Sequence, residues 1–317
     1  MTTTNGLITA GIDVGSSAIK VAVMHHPDSG EPTMLAGRCE RIRRRDALEV
    51  ATGVYDETLA EAGLTRDDVD YLATTGEGEI VEFRTGHFYG MTAHARGALF
   101  LEPEARAALD VGALHTRAIL MDDRAKVLGY RMTSQCASGS GQFLENISRY
   151  LGVTLNEIGP LSRKACEPEN CSSICAVLAE TDVINMVSRG IETADILKGI
   201  HLSMAGRYVK LLRSSGAKGV AVVTGGLAAD QGLVAALTEC LNEAGAGAEI
   251  EVRSHEHSVL AGAIGAALWG AFRARKLALT ERQAVDTTGG SATQSSARGE
   301  TRSDDGPGEA LSAEAGG

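Results

Sequence analysis

Apolar and polar residues alternate on both sides of a short polar turn near the start of the chain, and the same pattern returns further on. Residues 8–24 carry it around Gly15-Ser16-Ser17, and residues 108–122 carry it around Gly112-Ala113. Alternation interrupted by a glycine-containing turn is typical of a β-hairpin. In each copy an aspartate ends the first strand and a basic residue follows on the second: Asp13 with Lys20, and Asp110 with Arg117. The repeat predicts two similar lobes that face each other.

Helical and strand-like patterns follow each hairpin. The spacing of apolar residues predicts helices over residues 46–62, 194–214, 230–241 and 255–272. Residues 70–79 predict a strand that runs into a glycine-rich, acidic turn, and residues 249–253 predict a short strand. Residues 219–224 predict a buried strand that ends at Gly225-Gly226, where a sugar or a flat ring can approach the backbone. Residues 156–170 are polar and predict a loop.

The order of these patterns suggests how the chain is divided. From residue 278 onward small and polar residues predominate, which is typical of a disordered tail. We expect lobe I over residues 1–107, joined by the helix 255–277, then lobe II over 108–254 and a tail over 278–317.

Two cysteines each stand just before a predicted helix. Cys136 precedes a Gly/Ser-rich turn and an amphipathic helix, and Cys175 opens a helix that continues to Ser188. The positive end of a helix dipole favours thiolate over thiol, so the pair indicates a half-site for a metal or a cluster. Cys166 and Cys171 complete a possible three-cysteine set, but they lie in a charged loop and we do not favour them as ligands.

Composition narrows the class of protein. The 317 residues include 38 glycines and only 4% aromatic residues, which suits an α/β protein with tight turns. The net charge is −11 and we find no basic patch, so nucleic acid is not an expected partner. The sequence has neither a secretory signal pattern nor an apolar run of about 18 residues, so we expect a cytoplasmic protein without a membrane contact.

The duplicated hairpins indicate nucleotide chemistry. Backbone N–H groups of the turn, with the hydroxyls of Ser16 and Ser17, can hold phosphate oxygens, and Asp13 can hold Mg²⁺ through water. The alternative is an ordinary hairpin with a polar turn. Glu180, in the helix after Cys175, is either directed at the cleft or a solvated charge. His87 and His94 stand seven residues apart, and for them we favour a structural role over a metal site.

Several of these segments resemble known families. Residues 12–17 with Lys20 are similar to the first phosphate motif of the acetate and sugar kinase, chaperone and actin ATPase superfamily. Residues 109–112 are similar to its second phosphate motif, and Thr224-Gly225-Gly226 to its adenosine motif. Residues 136–145 and 175–184 are more specific, since they resemble the two cysteine segments of the activator ATPases of 2-hydroxyacyl-CoA dehydratases and class I benzoyl-CoA reductases. The resemblance is strongest to the D-type ATPase subunits of the reductases, and it covers roughly residues 8–275.

The resemblance implies an α/β, two-lobed, actin-like ATPase fold with duplicated mixed-sheet lobes that bind ATP and Mg²⁺. The phosphate and adenosine motifs then bind the nucleotide through Gly15, Ser16, Ser17, Lys20, Gly112, Ala113, Gly225 and Gly226. The carboxylates of Asp13, Asp110 and Glu180 are the implied catalytic groups. Cys136 and Cys175 then hold half of a 4Fe-4S cluster, which needs four thiolates and is completed by a second ATPase subunit.

The partners implied by the resemblance are that paired ATPase subunit, two ring-reducing subunits that bind benzoyl-CoA, and reduced ferredoxin as electron donor. The implied assembly is a heterotetramer that reduces benzoyl-CoA to a cyclohexadiene-carboxyl-CoA in anaerobic aromatic degradation.

One departure bears on activity. The family's second phosphate motif continues with a Gln-Asp pair where this chain has Leu114-His115. We therefore hypothesise that this chain binds nucleotide but hydrolyses it slowly. The alternatives are an activator ATPase of a 2-hydroxyacyl-CoA dehydratase, a kinase-like phosphotransferase, and an ATP-switched binding protein without iron.

Overall fold

The structure, a computed structural model, describes residues 6–133, 141–169, 171 and 176–289, with residues 176–178 and 281–289 described by their backbone alone. The first five strands are β1 (Gly6–Val14), β2 (Ala18–Pro27), β3 (Thr33–Arg41), β4 (Tyr71–Gly76) and β5 (Gly86–His87). The next five are β6 (Ala105–Val111), β7 (Thr116–Met121), β8 (Val127–Met132), β9 (Gly219–Thr224) and β10 (Ile250–Arg253). The helices are α1 (Ala47–Glu61), α2 (Gly90–Leu101), α3 (Gly141–Leu151), α4 (Leu155–Ser162), α5 (Ala176–Ser188), α6 (Thr193–Ser215), α7 (Gln231–Glu243) and α8 (Ala261–Gly289).

Two five-stranded mixed sheets share one strand order. The first sheet runs β3-β2-β1-β4-β5, and the second, read in the same direction, runs β8-β7-β6-β9-β10. In each sheet the first three strands are antiparallel neighbours, and the last two run parallel to the first strand of the hairpin. The duplicated, two-lobed α/β fold expected from the repeated hairpins is therefore confirmed.

The two sheets also share the register of their hairpin strands, β1 with β2 and β6 with β7. Asp13 lies opposite Lys20 across β1 and β2, and Asp110 lies opposite Arg117 across β6 and β7. The basic residue that follows each aspartate in the sequence is thus its cross-strand neighbour, close enough for a side-chain pair.

The repeat extends to the parallel strands, which the sequence analysis had not matched. Thr75 on β4 lies beside Asp13, and Thr224 on β9 lies beside Asp110. A glycine with positive φ follows each threonine: φ is +67° at Gly76 and +86° at Gly225. A Cβ at Gly76 would lie 2.3 Å from the carbonyl oxygen of Val14, and a Cβ at Gly225 would lie 2.6 Å from Oδ1 of Asp110. Only glycine lets these strand ends turn so close to the aspartates.

Each sheet buries one face under the helices of its own half. On the first sheet Ile12 and Val21 pack with Val54 and Leu59 of α1. The second sheet packs against α3, α6 and α7 through a larger cluster that includes Leu109. The buried positions of these helices recur at helical spacing, which is why the periodicity of 46–62, 194–214 and 230–241 predicted them.

The opposite faces are covered by helices from the other half of the chain. Helix α2 follows β5 of the first sheet, yet its Ala95 and Ala98 pack with Ile119 of the second sheet. Helix α8 follows β10 of the second sheet, yet its Ile264 packs with Met24 of the first. The two helices also touch closely, because a Cβ at Gly265 would lie 1.8 Å from the carbonyl oxygen of Ala93. Helices α2 and α8 therefore lie between the two sheets.

Two segments differ from the sequence prediction. Residues 155–162 form helix α4 where we expected a polar loop; Thr154 and Glu157 form a capping box at its start, and Ile158 is fully buried. Helix α8 begins at Ala261 and continues to Gly289, through residues expected in the disordered tail. Residues 277–285 are mostly good helix formers without glycine or proline, which explains the extension. Residues 290–317 lie outside the described part of the chain.

Contacts divide the chain into one compact unit, residues 1–274, which contains both sheets, and a second unit from Arg275 onward. The expected boundaries between lobes at residues 107/108 and 254/255 remain a prediction. Within the residues that the structure describes, no helix combines the length and the apolar character needed to cross a membrane.

Candidate functional site

The turns of both hairpins and the ends of β4 and β9 surround a cavity of about 220 Å³. Most of the residues that sequence reasoning selected line it: Asp13, Gly15, Ser16, Ser17, Lys20, Asp110, Gly112, Ala113, Gly225 and Gly226. Residues that stand far apart in the sequence are thus brought to one polar space by the shared register of the two sheets. Their individual roles remain predictions.

A larger cavity of about 740 Å³ adjoins the first. The two share Ser17, Gly112, Ala113 and Gly226 as lining residues. The walls of the larger cavity come from α3, α4 and the start of α7, and they are partly apolar. A small polar space that opens into a larger, partly apolar one has the form of a mononucleotide site, with phosphates in the first and a nucleoside in the second.

The first hairpin carries a closed ion pair. Nζ of Lys20 lies 3.1 Å from Oδ2 of Asp13, and both residues are buried. Burial acts to raise the pKa of Asp13, but the attraction of Lys20, followed by His94 and Arg117, outweighs it and holds that pKa below its usual value. Burial likewise acts to lower the pKa of Lys20, and Asp13 outweighs it, so that pKa is raised. Both side chains are therefore charged across the ordinary pH range.

The second hairpin is more open. Its aspartate, Asp110, lies 3.8 Å from Arg117 and 3.7 Å from Nε2 of His94, distances too long for good hydrogen bonds. Among the described residues the Asp110 side chain has no hydrogen-bond partner, although the residue is only 8% exposed. The carboxylate oxygens of Asp110 are consequently available to a ligand in the small cavity.

Two histidines, His94 and His87, have hydroxyl partners in the protein. Nδ1 of His94 lies 3.0 Å from the hydroxyl of Thr224, and Nδ1 of His87 lies 3.0 Å from the hydroxyl of Thr74. Over the described ranges, no cluster of three His, Cys, Asp or Glu residues could hold a metal ion directly. Magnesium does not need such a cluster, because one or two carboxylates, phosphate oxygens and water suffice.

Three further residues had been selected from the sequence, and only Glu180 among them lies in the described part of the chain. Cys136 and Cys175 lie outside the described residues. Glu180 is half-buried on α5 and is not one of the described residues that line either cavity. Cys166 is exposed, whereas Cys171 is buried and its pKa is raised to about 11, chiefly by burial.

Helix α3 is bonded directly to the second hairpin turn. The N–H of Gly141 donates to the carbonyl oxygen of Gly112 at 2.9 Å, and the N–H of Gln142 donates to that of Ala113 at 3.0 Å. These bonds satisfy donors at the start of the helix, which otherwise lack partners. The turn that lines both cavities is therefore connected, without intervening side chains, to the helix that follows the Cys136 segment.

A basic patch corrects the expectation drawn from net charge. Arg41, Arg43, Arg44 and Arg149 line a third cavity of about 440 Å³ beside Ser16 and Ser17. One carboxylate, that of Glu145, lies 3.2 Å from Arg41 and 3.4 Å from Arg149. Three of these arginines stand in the basic run of residues 41–45, a signal in the sequence that the expectation from net charge overlooked. Arg149 joins them from a helix more than a hundred positions away.

Sequence reasoning missed Thr75 and Gly76 as counterparts of Thr224 and Gly225, and it missed the partners of His94. A signal was present, because each strand beside a hairpin ends in a Thr-Gly dipeptide. No comparable signal places His94 between the two hairpins, since that position depends on α2 packing against the second sheet.

Comparison with known proteins identifies the class to which this site belongs. The chain belongs to the BadF/BadG/BcrA/BcrD ATPase family, whose model matches residues 10–270. It is 60% identical over 279 residues to the D subunit of benzoyl-CoA reductase from Thauera aromatica, and the match covers 88% of this chain and 98% of that protein.

Two solved structures share the fold. One is the activator of the 2-hydroxyisocaproyl-CoA dehydratase from Clostridium difficile with bound ADPNP, with a TM-score of 0.77, 28% identity, and coverage of 86% of this chain and 98% of that one. The other is component A of the (R)-2-hydroxyglutaryl-CoA dehydratase of Acidaminococcus fermentans, with a TM-score of 0.76, 28% identity, and coverage of 85% and 99%.

Proposed function

We propose that this chain is the ATP-binding, electron-activating subunit of a benzoyl-CoA reductase. In this proposal nucleotide and Mg²⁺ bind in the two joined cavities, and the chain shares a 4Fe-4S cluster with a paired ATPase subunit. Reduced ferredoxin supplies the electron, and two further subunits bind and reduce benzoyl-CoA. Membership of an ATPase family and 60% identity to the D subunit of a reductase support this function over that of a dehydratase activator, where the solved structures are 28% identical.

The residues of the small cavity suit a Mg²⁺-nucleotide. Two hairpin turns offer backbone N–H groups to phosphate oxygens, and Lys20 and Arg117 provide positive charge. Asp110 has carboxylate oxygens without a hydrogen-bond partner among the described residues, and carboxylates with retained water are what Mg²⁺ prefers. In this chain Asp13 is engaged by Lys20, so Asp110 is the better candidate to face the ion.

Two hydrogen bonds from α3 to the second hairpin turn support the proposed coupling between the nucleotide and the cluster. Gly141 and Gln142 donate to Gly112 and Ala113, which line both cavities. A phosphate bound at this turn acts on the first turn of α3 through the backbone. The Cys136 segment immediately precedes that helix in the sequence, so movement of the turn is transmitted toward it.

The cluster is proposed from Cys136 and Cys175, which lie outside the described residues. The chemistry suits iron and sulfur, since such clusters bind thiolates, and two thiolates from each of two subunits complete the set. When bound, the cluster supplies one-electron transfer. Around the other four cysteines, the described residues form no group of three His, Cys, Asp or Glu side chains.

Iron and acid-labile sulfide in the anaerobically purified pair of ATPase subunits test the proposal. We expect about two irons per chain, as a shared four-iron cluster requires. Cys136→Ser and Cys175→Ser should each remove the cluster absorbance, while Cys166→Ser, at an exposed thiol, should leave it intact. A pair without iron, or one that keeps its iron in both Cys136→Ser and Cys175→Ser, contradicts the proposal.

The hypothesis of slow hydrolysis concerns Leu114 and His115, which line the small cavity where the family carries Gln and Asp. We expect this chain, assayed alone, to release phosphate from ATP more slowly than its paired subunit. Leu114→Gln with His115→Asp should raise the rate. Equal rates for the two separate subunits would show that the departure has no effect.

A further inference from the structure

His94 lies on a helix between the sheets, near the aspartates of both hairpins. It is carried by α2 and is only 5% exposed. A Cβ placed on Gly262 of α8 would lie 2.9 Å from Nε2 of His94 and 2.9 Å from Oδ2 of Asp13. Because Gly262 has no side chain, the imidazole of His94 and the carboxylate of Asp13 have room to face each other. Asp110 of the second hairpin lies 3.7 Å from Nε2 of His94.

The two nitrogens of the imidazole have different surroundings. Nδ1 faces the hydroxyl of Thr224 at 3.0 Å, and Nε2 faces carboxylates. Carboxylates accept hydrogen bonds and a hydroxyl can donate one, so this environment favours a proton on Nε2 and an acceptor at Nδ1. In that tautomer Thr224 sets the rotation of the ring, and the ring directs its N–H toward Asp110. At 3.7 Å this is an electrostatic contact between the N–H dipole and the carboxylate, not a hydrogen bond.

The corresponding position of the first repeat lacks this arrangement. Thr75 occupies the place of Thr224, but its hydroxyl is buried without a hydrogen-bond partner among the described residues. Its neighbouring aspartate is instead bound by Lys20 at 3.1 Å. One repeat therefore secures its aspartate with a direct ion pair at 3.1 Å. The other repeat holds its aspartate through longer contacts, with Arg117 at 3.8 Å and His94 at 3.7 Å.

We propose that His94 is a positioning residue, fixed by Thr224, that sets the orientation of the Asp110 carboxylate toward the Mg²⁺ of the bound nucleotide. This inference rests on the proposed nucleotide site and deepens it. Groups that orient a metal-binding carboxylate from behind raise the affinity for the metal without touching it. In this proposal His94 orients the carboxylate of Asp110 in the same manner. The same imidazole also lies close to Asp13 of the first repeat.

A matched pair of variants isolates the role. Thr224→Val removes the hydroxyl that holds His94, and Thr75→Val removes the equivalent hydroxyl, which holds none of the described residues. His94→Ala removes the ring, whereas His94→Gln retains a side chain that can hydrogen-bond. Each intact chain is titrated with ADPNP in the presence of Mg²⁺ and in the presence of EDTA, and its thermal unfolding is recorded without nucleotide.

We expect wild type to bind ADPNP more tightly with Mg²⁺ than with EDTA. His94→Ala should reduce that Mg²⁺ advantage by about 10-fold or more, the usual effect of losing an orienting partner, and leave the affinity in EDTA nearly unchanged. Thr224→Val should also reduce the gain in ADPNP affinity that Mg²⁺ gives over EDTA. Thr75→Val should keep the wild-type gain, and His94→Gln should retain more of it than His94→Ala does.

The outcomes separate the inference from the function on which it rests. If wild type does not bind ADPNP, the nucleotide site itself is wrong. If wild type binds but His94→Ala keeps the full Mg²⁺ advantage, or weakens binding equally in Mg²⁺ and EDTA with a lower unfolding temperature, His94 has only a structural role. If Thr75→Val and Thr224→Val have equal effects, the asymmetry between the repeats does not direct Asp110.

Discussion

The first and second repeats have the same backbone and different chemistry. Each has a hairpin with an aspartate opposite a basic residue, and each has a parallel strand that ends in Thr-Gly beside that aspartate. In the first repeat Lys20 closes on Asp13 at 3.1 Å, whereas in the second Arg117 stays 3.8 Å from Asp110. The difference shows that a duplicated scaffold can assign one aspartate to internal neutralisation and leave the other available to a ligand.

Loss of the basic residue should affect the two repeats unequally. Lys20→Met leaves the buried Asp13 without its partner and should lower the free energy of unfolding by about 3–5 kcal/mol. Arg117→Met should cost about 1 kcal/mol or less, because the arginine side chain is 28% exposed and its pair is longer. Urea unfolding of both variants measures the difference. Similar losses would mean that the two ion pairs are equivalent after all.

The glycines that follow the two threonines should instead behave alike. Gly76→Ala and Gly225→Ala each place a Cβ at positive φ and within 2.3–2.7 Å of a backbone or carboxylate oxygen. We expect each to lower the free energy of unfolding by about 1–3 kcal/mol, as backbone strain of this kind does. Gly63→Ala is the control, because Gly63 also has positive φ but no atom within 4 Å of its Cβ position. A loss no larger than that of Gly63→Ala would show that the close approach is not required.

Acid unfolding should report on the buried ion pair of Asp13 and Lys20. The pKa of Asp13 is held below its ordinary value of 3.8, so its stabilising effect is present above pH 3.8 and is lost as the pH falls through the lower folded value. Lys20, whose pKa is raised above 10.5, contributes below pH 10.5 and loses its effect as the pH rises through the higher folded value. Because burial alone raises the pKa of Asp13, Lys20→Met should begin acid unfolding at a higher pH. Arg117→Met should shift it in the same direction but less, since Lys20 is the largest and Arg117 the smallest of the charges that hold that pKa down. Circular dichroism against pH distinguishes them.

The smallest expected change in the free energy of unfolding concerns the ion pair between β3 and α3 beside the larger cavity. Arg41 of β3 and Glu145 of α3 form a half-exposed ion pair at 3.2 Å. Arg41→Gln should change the free energy of unfolding by about 0.2–1 kcal/mol, with a smaller effect at high salt. Arg44→Gln, which alters the same basic patch without a described ion pair, is the control in urea unfolding. Equal effects of the two variants would show that charge density matters more than the pair.

How much the sequence could predict differs between hairpins and helices. Alternation and turn glycines predicted β1–β2 and β6–β7, because strand periodicity and turn chemistry are local properties. The same holds for α1 and α6, each with an apolar stripe. Helix α4 was not predicted, because it is short and contains Pro160. Its capping box of Thr154 and Glu157 was nevertheless a local signal of a helix start.

Packing between elements could not be predicted in this way. Apolar periodicity states that α2 and α8 bury one face, but not which sheet each one covers. The positions of His94 and Gly262, and the gathering of Arg43 with Arg149, depend on that choice and on contacts between distant parts of the chain. The candidate site was therefore predicted where it lies on hairpin turns, and missed where it depends on helix placement.

The exchange of α2 and α8 between the sheets has a consequence for how the protein is made. The face of the first sheet that carries Ala22 and Met24 is covered by Ala263, Ile264 and Ala267, which leave the ribosome long after the strands of that sheet. Until then the nascent first half presents an uncovered apolar surface, a condition that promotes aggregation and chaperone binding. Chains that terminate before residue 261 lack this cover altogether, so neither half is suited to separate expression.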